Sequence, residues 1–198
     1  MLRREPAPRE IEAFSLYLTL LRRWNRAYSL TAYRDPLQII ERLFLDSLLF
    51  LEFIPPGTQR VLDFGSGVGV PGIPISIVRS EVRMTLIESQ RRKVSFLRSA
   101  VRELALENVQ VVEGRAEAIV KSMPELEDRF EVVVSRAAGT RGAVWAVASR
   151  LLKANGRFVA SGPPMGKGLG SGGEVGSWAV LTTPSGRQRR FYVVTKVA

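Results

Sequence analysis

The spacing of apolar and polar positions changes once along the chain, at the turn-like Pro55-Pro56-Gly57. Before this turn, apolar residues recur every three or four positions, as on one face of a helix, at Ile11, Phe14, Leu18 and Leu21. Asp35 followed by Pro36 is typical of the N-cap and first residue of a second helix. We therefore expect residues 1–55 to form a helical N-terminal extension.

After the turn, short apolar runs of strand length alternate with helical stretches. The runs are 60–64, 84–87, 109–112, 130–134 and 157–160, and the clearest helix between them is 91–105. Such alternation predicts a parallel sheet with right-handed crossovers. Two more strands, 178–182 and 190–195, flank Pro184-Ser185-Gly186 and predict a closing antiparallel hairpin. We therefore predict an α/β, Rossmann-like fold in which a mostly parallel seven-stranded sheet forms the core, residues 58–198, of a single domain spanning 1–198.

The strongest candidate site is a glycine-rich loop directly after the first strand, in the run VLDFGSGVGVPGIPISI at 61–77. Four glycines bring the backbone close to a ligand, and Glu88 ends the next strand about 20 residues further on, where a carboxylate can hold ribose hydroxyls. The glycines are Gly65, Gly67, Gly69 and Gly72. A tight turn without a ligand is the structural alternative, but four glycines so close together cost backbone entropy without adding packing. These features suit NAD and S-adenosylmethionine equally.

Asp63 favours S-adenosylmethionine over NAD. It lies at the carboxyl end of the first strand, beside the place where a dinucleotide puts its pyrophosphate, and a carboxylate opposes that anion. S-adenosylmethionine has no phosphate and carries an ammonium and a sulfonium, which a carboxylate favours.

Composition narrows the chemistry and suggests the partner. The chain has no His and no Cys, which excludes Ser-His-Asp hydrolysis, cysteine nucleophiles and zinc sites built from imidazole or thiolate. Its 29 Lys and Arg against 19 Asp and Glu give a charge of +10, which attracts polyanions such as nucleic acid, although solvated helix faces would account for the same excess. The apolar stretch 37–54 is interrupted by charges too often to cross a membrane. We expect no metal, no membrane contact and a cytoplasmic location.

Several motifs together resemble the glucose-inhibited division protein B family. They are DFGSGVGVPGIPISI, TLIES, RRKVSFLR, LENV, the RAE at 115–117 and FEVVVSRA at 130–137, with RWNRAYSLTAYRDP and ERLFLDSLL upstream. The resemblance covers most of residues 20–160 in the family's order, and it implies a class I methyltransferase fold. It also implies S-adenosylmethionine-dependent methylation of guanine N7 in small-subunit (16S) ribosomal RNA, with naked RNA or the 30S particle as partner.

The resemblance also implies particular site residues. The family's cofactor contacts fall on Gly65, Val70, Ala116, Glu117 and Arg136, and Arg136 is the candidate for a catalytic role at the mouth of the fourth strand. Guanine N7 carries an exposed lone pair, so the lack of His and Cys does not prevent this reaction. A methyltransferase-fold protein that binds RNA or the ribosome without turnover is the alternative. We expect a monomer, although the sequence itself leaves the oligomeric state open.

The chain departs from the family pattern at four places. It has Leu43 where members typically carry His, Ser29 where they carry Asn, and Ser161-Gly162-Pro163 where they carry Leu-Lys-Gly. Seven glycines in 162–176 predict a mobile loop where the family usually has a helix. These departures affect the expected RNA-facing region rather than the glycine loop.

Overall fold

The fold is taken from a computed structural model that describes residues 4–136, 141–162 and 176–197. For residues 116, 117 and 141–143 it describes the backbone alone. The Gly-rich loop expected at 162–176 lies outside the described residues, except for its first and last positions.

Helices form the N-terminal part of the chain. Helix α1 (Pro8–Tyr28) begins with proline at its first position, and Glu10 accepts a hydrogen bond from the Ala7 N–H. The helix ends where Ser29 takes a left-handed conformation, with φ 50°. Helix α2 (Pro36–Ile39) begins where Asp35 caps the Gln38 N–H, as the sequence predicts.

The second helical region does not continue as a regular α-helix. After α2 comes a π-helical segment (Ile40–Leu45), then the single turn α3 (Asp46–Leu48) and a 3-10 segment (Leu49–Phe53). π-helical segments are rare and often lie at functional sites. The sequence does not predict this one.

Seven strands form one sheet in the order β3-β2-β1-β4-β5-β7-β6. The strands are β1 (Arg60–Phe64), β2 (Arg83–Glu88), β3 (Val109–Glu113), β4 (Phe130–Arg136), β5 (Leu152–Ser161), β6 (Ser177–Thr182) and β7 (Gln188–Thr195). The first five pair in parallel, and β7 pairs antiparallel with both β5 and β6. The predicted Rossmann-like α/β sheet with its terminal hairpin is therefore confirmed.

The crossover helices cover both faces of the sheet. They are α4 (Gly72–Val78), α5 (Arg91–Glu103), α6 (Ala116–Ser122) and α7 (Arg141–Leu151), with a 3-10 turn at Pro124–Leu126. The N-terminal helices share one buried apolar cluster with α4, α5 and one sheet face, where Tyr17, Phe44 and Phe96 meet. A second cluster, around Trp145 and Phe158, lies on the other face. No helix in the described part of the chain is long and apolar enough to span a membrane.

The order of the strands reverses direction between β1 and β4. Ligands of open α/β sheets bind outside the carboxyl ends of the strands at such a reversal. Phe64, Glu88 and Arg136 end their strands at this edge, and the antiparallel β7 begins there. The fold therefore brings the glycine loop and the predicted site residues to one edge.

Candidate active site

The glycine loop follows β1, and its backbone has a conformation that residues with side chains rarely adopt. Gly65, Gly67 and Gly69 all have positive φ, at 71°, 59° and 89°. A Cβ added to Gly67 would meet only the Gly65 carbonyl oxygen, at 4.0 Å, among the described residues. Gly67 therefore borders open space, where a ligand could lie against the backbone.

Two of the loop's glycines are explained by packing within the protein instead. A Cβ at Gly69 would come 2.5 Å from the Ile73 side chain, and one at Gly72 would overlap Leu86. Glycine at these positions lets α4 pack closely against the sheet. The four glycines thus divide into a pair, Gly65 and Gly67, whose conformation shapes the loop, and a pair that seats the following helix.

Asp63 lies under this loop, fully buried. One carboxylate oxygen, Oδ2, accepts a hydrogen bond from the Gly72 N–H at 2.9 Å. The other, Oδ1, has no hydrogen-bond partner within the described residues. Burial raises the pKa of Asp63 to about 7, against the lowering effect of the Gly72 N–H. A carboxylate with no exposed surface can influence a ligand in the loop through its electrostatic field.

Glu88, at the end of β2, holds three backbone donors. Its Oε2 accepts from the Gly67 N–H at 2.8 Å, and its Oε1 accepts from the N–H groups of Ser89 and Gln90 at 2.7 and 2.8 Å. A carboxylate offers about four acceptor positions, so about one remains for a ligand. Glu88 therefore fixes the glycine loop to the β2 end at Gly67, the residue that borders open space.

The N-terminal extension supports the same loop from the other side. The Tyr17 hydroxyl, buried in α1, donates a hydrogen bond to the Val68 carbonyl oxygen, and the Tyr17 ring stacks on Phe44 with centroids 4.8 Å apart. Val70, an expected cofactor contact, is buried and donates from its backbone N–H to the Ser66 carbonyl at 3.0 Å. The sequence does not identify Tyr17 as a residue that supports the loop, because helical spacing alone does not distinguish it from an ordinary core residue.

Ala116 and Glu117 begin α6, just beyond the end of β3. Their backbone is at the same edge of the sheet as the glycine loop, while their side chains lie outside the description. The Gly114 N–H donates to the Glu88 carbonyl oxygen at 2.9 Å, which joins this segment to the end of β2.

Arg136 ends β4, next to β1, and its guanidinium contacts the N-terminal extension. Its Nη2 donates to the Arg42 carbonyl oxygen in the π-helical segment and lies 3.8 Å from Asp46 Oδ2. The side chain is 14% exposed, and this burial lowers the pKa of Arg136.

Asp46 is the centre of a charged cluster that the sequence does not predict. Its side chain is 3% exposed and pairs with the guanidinium groups of Arg187 and Arg189 from β7 and its turn, as well as with Arg136. We call Asp46, Arg136, Arg187 and Arg189 the Asp46 cluster. The only signal in the sequence is an Asp inside the apolar stretch 37–54, and nothing there indicates its partners.

A separate cavity, of about 870 Å³, lies at the opposite edge of the sheet. Arg60 and Arg83, the first residues of β1 and β2, are among its lining residues. It is far from the carboxyl ends of the strands, where the glycine loop and Glu88 are found, so we do not assign it to the active site. No group of His, Cys, Asp or Glu side chains among the described residues could hold a metal ion.

A comparison with models of protein families identifies the family to which these motifs belong. The model "GidB: rRNA small subunit methyltransferase G" matches residues 10–162, which include most of the helical extension, the glycine loop, Glu88 and Arg136. The chain belongs to the GidB family. The resemblance stated from the sequence motifs is thereby confirmed.

Relatives of this GidB family chain carry the same family name. "Ribosomal RNA small subunit methyltransferase G" of Xanthomonas campestris pv. campestris (strain B100) is 42% identical over 144 residues, and that of Xylella fastidiosa (strain M23) is 44% identical over 144 residues. In both, the match covers 73% of this chain and 65% of the relative. The chain thus spans about 65% of the length of these curated relatives.

Solved structures support the fold. A SAM dependent methyltransferase from Aquifex aeolicus superposes with a TM-score of 0.59 at 16% identity, over 82% of this chain and 94% of that one. A precorrin-6y C5,15-methyltransferase from Geobacter metallireducens GS-15 gives 0.57 at 16% identity, over 77% and 87%. At this identity the likeness shows the fold alone, which agrees with the predicted class.

This GidB family member departs from the expected family pattern at several positions. They lie close to the Asp46 cluster or have structural roles. Leu43 is buried in the π-helical segment, three residues before Asp46, and Ser29 terminates α1. Ser161 pairs with Arg136 in the β4–β5 register, and its buried hydroxyl has no hydrogen-bond partner in the described ranges.

Proposed function

We propose that this protein is an S-adenosylmethionine-dependent methyltransferase that methylates N7 of a guanine in small-subunit (16S) ribosomal RNA, in the cytoplasm. The observation that carries the proposal is membership of the GidB family over residues 10–162, which includes the whole glycine loop and Glu88. The +10 charge of the chain suits an RNA substrate.

The glycine loop fits S-adenosylmethionine on three observations. Gly67 borders open space, Glu88 keeps about one acceptor position for a ribose hydroxyl, and the buried Asp63 carboxylate has an unpartnered oxygen among the described residues. A carboxylate at this depth favours a cationic ligand and opposes a pyrophosphate. When bound, S-adenosylmethionine supplies an electrophilic methyl group on its sulfonium. The backbone around Gly65 would face its methionine part, and the Ala116–Glu117 segment would lie near its adenine.

The residues of this chain need to position the reactants rather than transfer protons. Guanine N7 attacks through a lone pair and carries no proton, so no general base is required, and the absence of His and Cys is compatible with the reaction. The ends of β1 and β4 are adjacent, so a base approaching Arg136 would lie next to the glycine loop. The contacts of Arg136 with the Arg42 carbonyl oxygen and with Asp46 support a role for its guanidinium in orienting that base.

The proposal is tested with labelled S-adenosylmethionine and small ribosomal subunits that lack the guanine methyl group. We expect label in the 16S RNA, at guanine N7, and no label in fully methylated subunits. Naked RNA is assayed in parallel, because it shows which form is the substrate. Tight association with subunits and no transfer to either form would instead support the alternative of a binding protein without turnover.

The role of Arg136 is tested by substituting it. We expect Arg136→Ala to lower the single-turnover rate of methyl transfer more than tenfold, which is about 1.4 kcal/mol or more in the barrier. The affinity for S-adenosylmethionine, measured separately by calorimetry, should fall less than the rate. A wild-type rate at saturating cofactor and RNA would remove Arg136 from the reaction centre.

A further inference from the structure

The Asp46 cluster has more positive than negative charge. Three guanidinium groups face the Asp46 carboxylate: Arg187 through a direct hydrogen bond, Arg189 at 3.3 Å and Arg136 at 3.8 Å. The three arginine side chains are 24%, 25% and 14% exposed. Among the described residues, Asp46 is the one carboxylate in ion-pair contact with these three guanidinium groups, so the cluster itself carries a net charge of +2 in a largely buried place. Like charges brought together with so little water repel each other strongly.

The same cluster has hydrogen-bond donors that the described residues leave unused. They are Nη1 of Arg136 and Nε of Arg187, both buried, whereas Nε of Arg189 is the atom that lies 3.3 Å from Asp46 Oδ2. The Ser161 hydroxyl, on the strand position paired with Arg136, is also buried without a partner in the described part of the chain. Buried polar groups of native proteins almost always have partners, so three such atoms, on two arginines of the cluster and on the neighbouring Ser161, point to a ligand that accepts hydrogen bonds.

We propose that the Asp46 cluster binds one phosphodiester group of the RNA substrate, next to the base that is methylated. The proposal rests on the proposed function, since RNA is its ligand. Guanidinium groups bind phosphate oxygens with paired, charge-assisted hydrogen bonds, and a phosphodiester brings one negative charge into the excess of positive charge. Asp46 holds the three arginines in fixed positions, which lowers the entropy cost of binding.

The position of the cluster agrees with this ligand. Arg136 ends β4, the neighbour of β1, whereas Arg187 and Arg189 lie at the start of β7, two strands beyond β4. With neighbouring strands about 4.8 Å apart, the cluster lies beside the expected position of the base and on the side away from Glu88. A base held at the ends of β1 and β4 would therefore have its own or a neighbouring phosphate within reach of these arginines.

The test compares Arg187→Gln and Arg189→Gln with a matched control, Arg190→Gln. Arg190 lies on the same strand as Arg189 but is exposed and points to the opposite side of the sheet. Binding of small-subunit ribosomal RNA is measured over a range of salt concentrations. For each cluster variant we expect a roughly tenfold weaker affinity. We also expect a log–log salt slope that is smaller by about 0.7, the value of one lost phosphate contact on single-stranded RNA. Arg190→Gln should keep the wild-type affinity and slope.

Thermal unfolding separates a phosphate site from a purely structural clamp. Removing one of three like charges around one carboxylate should leave the melting temperature of the free protein unchanged or raise it. A variant that unfolds at lower temperature and keeps the wild-type salt slope would show that the Asp46 cluster only holds β7 against the extension. That result would overturn the proposal. Inorganic phosphate, compared with chloride at equal ionic strength, should stabilise the wild type more than Arg189→Gln. This measurement needs no RNA, and equal stabilisation of the two proteins would also count against the site.

A second arm tests whether the cluster binds the carboxylate of S-adenosylmethionine instead. Affinities of Arg189→Gln for S-adenosylmethionine and for 5′-methylthioadenosine, which lacks that carboxylate, are compared with those of the wild type. We expect both to be unchanged. A selective loss of S-adenosylmethionine binding would assign the cluster to the cofactor. Failure of the wild type to bind or methylate RNA would contradict the proposed function, whereas active wild type with unaffected variants would contradict the phosphate site alone.

Discussion

Glu88 performs two tasks with one side chain. Its carboxylate holds the N–H of Gly67 in the glycine loop and also those of Ser89 and Gln90 after β2. The sequence predicts a carboxylate at this position from the spacing to the glycines, because that spacing follows from the length of one β-α-β unit. It does not predict the backbone contacts, which depend on how the loop closes over the strand end. Glu88 therefore shapes the site as well as bordering it.

We expect Glu88→Ala to weaken S-adenosylmethionine binding by about 1.5–3 kcal/mol, the cost of a lost charge-assisted hydrogen bond. Isothermal calorimetry measures the dissociation constant. Glu113→Ala is a matched control, since Glu113 ends the next strand in register with Glu88 but pairs with Arg91 and Arg98. An unchanged dissociation constant in Glu88→Ala, or an equal loss in the control, would contradict the assignment of Glu88 to the cofactor.

Asp46 shows where prediction at the level of single residues fails. The carboxylate lies in an apolar stretch, and its partners Arg187 and Arg189 are more than a hundred positions away. A single sequence records neither that pairing nor the approach of the β6–β7 hairpin to the extension. By contrast, the role of Gly69 is local, and it follows from its positive φ and close contact with Ile73.

Among the secondary-structure elements, the strands are the part that the sequence predicts best. All seven predicted runs lie within observed strands, because short β-branched and aromatic runs bounded by turns have few other stable conformations. The observed β5 begins at Leu152, five residues before the predicted start, since backbone pairing with β4 continues past an irregularity in register. The π-helical segment at Ile40–Leu45 was missed, because its sequence is as compatible with an ordinary α-helix.

Helix α1 acts on the glycine loop through Tyr17. We expect Tyr17→Phe to reduce the free energy of unfolding by about 1–3 kcal/mol, because the Val68 carbonyl oxygen loses its buried donor. Hydrogen exchange should also quicken at the amides of Gly67 and Gly69. Chemical denaturation and exchange measured by mass spectrometry provide the two readings.

The control for this element is Tyr28→Phe. Tyr28 ends the same helix with 48% of its surface exposed, so the loss of its hydroxyl should change neither stability nor exchange in the loop. Wild-type exchange in Tyr17→Phe would show that α1 packs beside the loop without stabilising it.

At the scale of the whole molecule, the chain has no His, so the titration of Asp63 can be observed in the pH dependence of stability. No side chain of this chain has an ordinary pKa between 5 and 8, yet burial raises the pKa of Asp63 to about 7. Between the unfolded value of 3.8 and about 7, the folded state therefore binds one proton more than the unfolded state. The stability that this protonated carboxyl contributes is complete below the unfolded pKa and is lost as the pH rises toward 7.

We therefore expect the free energy of unfolding to fall between pH 5 and pH 7, with a slope approaching about 1.4 kcal/mol per pH unit. Asp63→Asn should remove this slope, as measured by urea denaturation in buffers of constant ionic strength. Asp35→Asn is the control, because Asp35 is exposed and Asn is an equally good N-cap. A wild-type stability that is flat from pH 5 to pH 7 would mean that Asp63 is ionised in the folded protein.

The ion pair between Asp46 and Arg187 also bears on the order in which parts of the molecule can fold. The two residues are 141 positions apart, and β7 is the last strand of the described chain to be synthesised. Until β7 docks, Asp46 has no guanidinium from the hairpin, and Arg136 is its one partner within the cluster. The ion pairs that join the helical extension to the hairpin can therefore form only after the last described strand has been made, whereas the apolar contacts of the extension with α4 and α5 involve residues that are synthesised earlier.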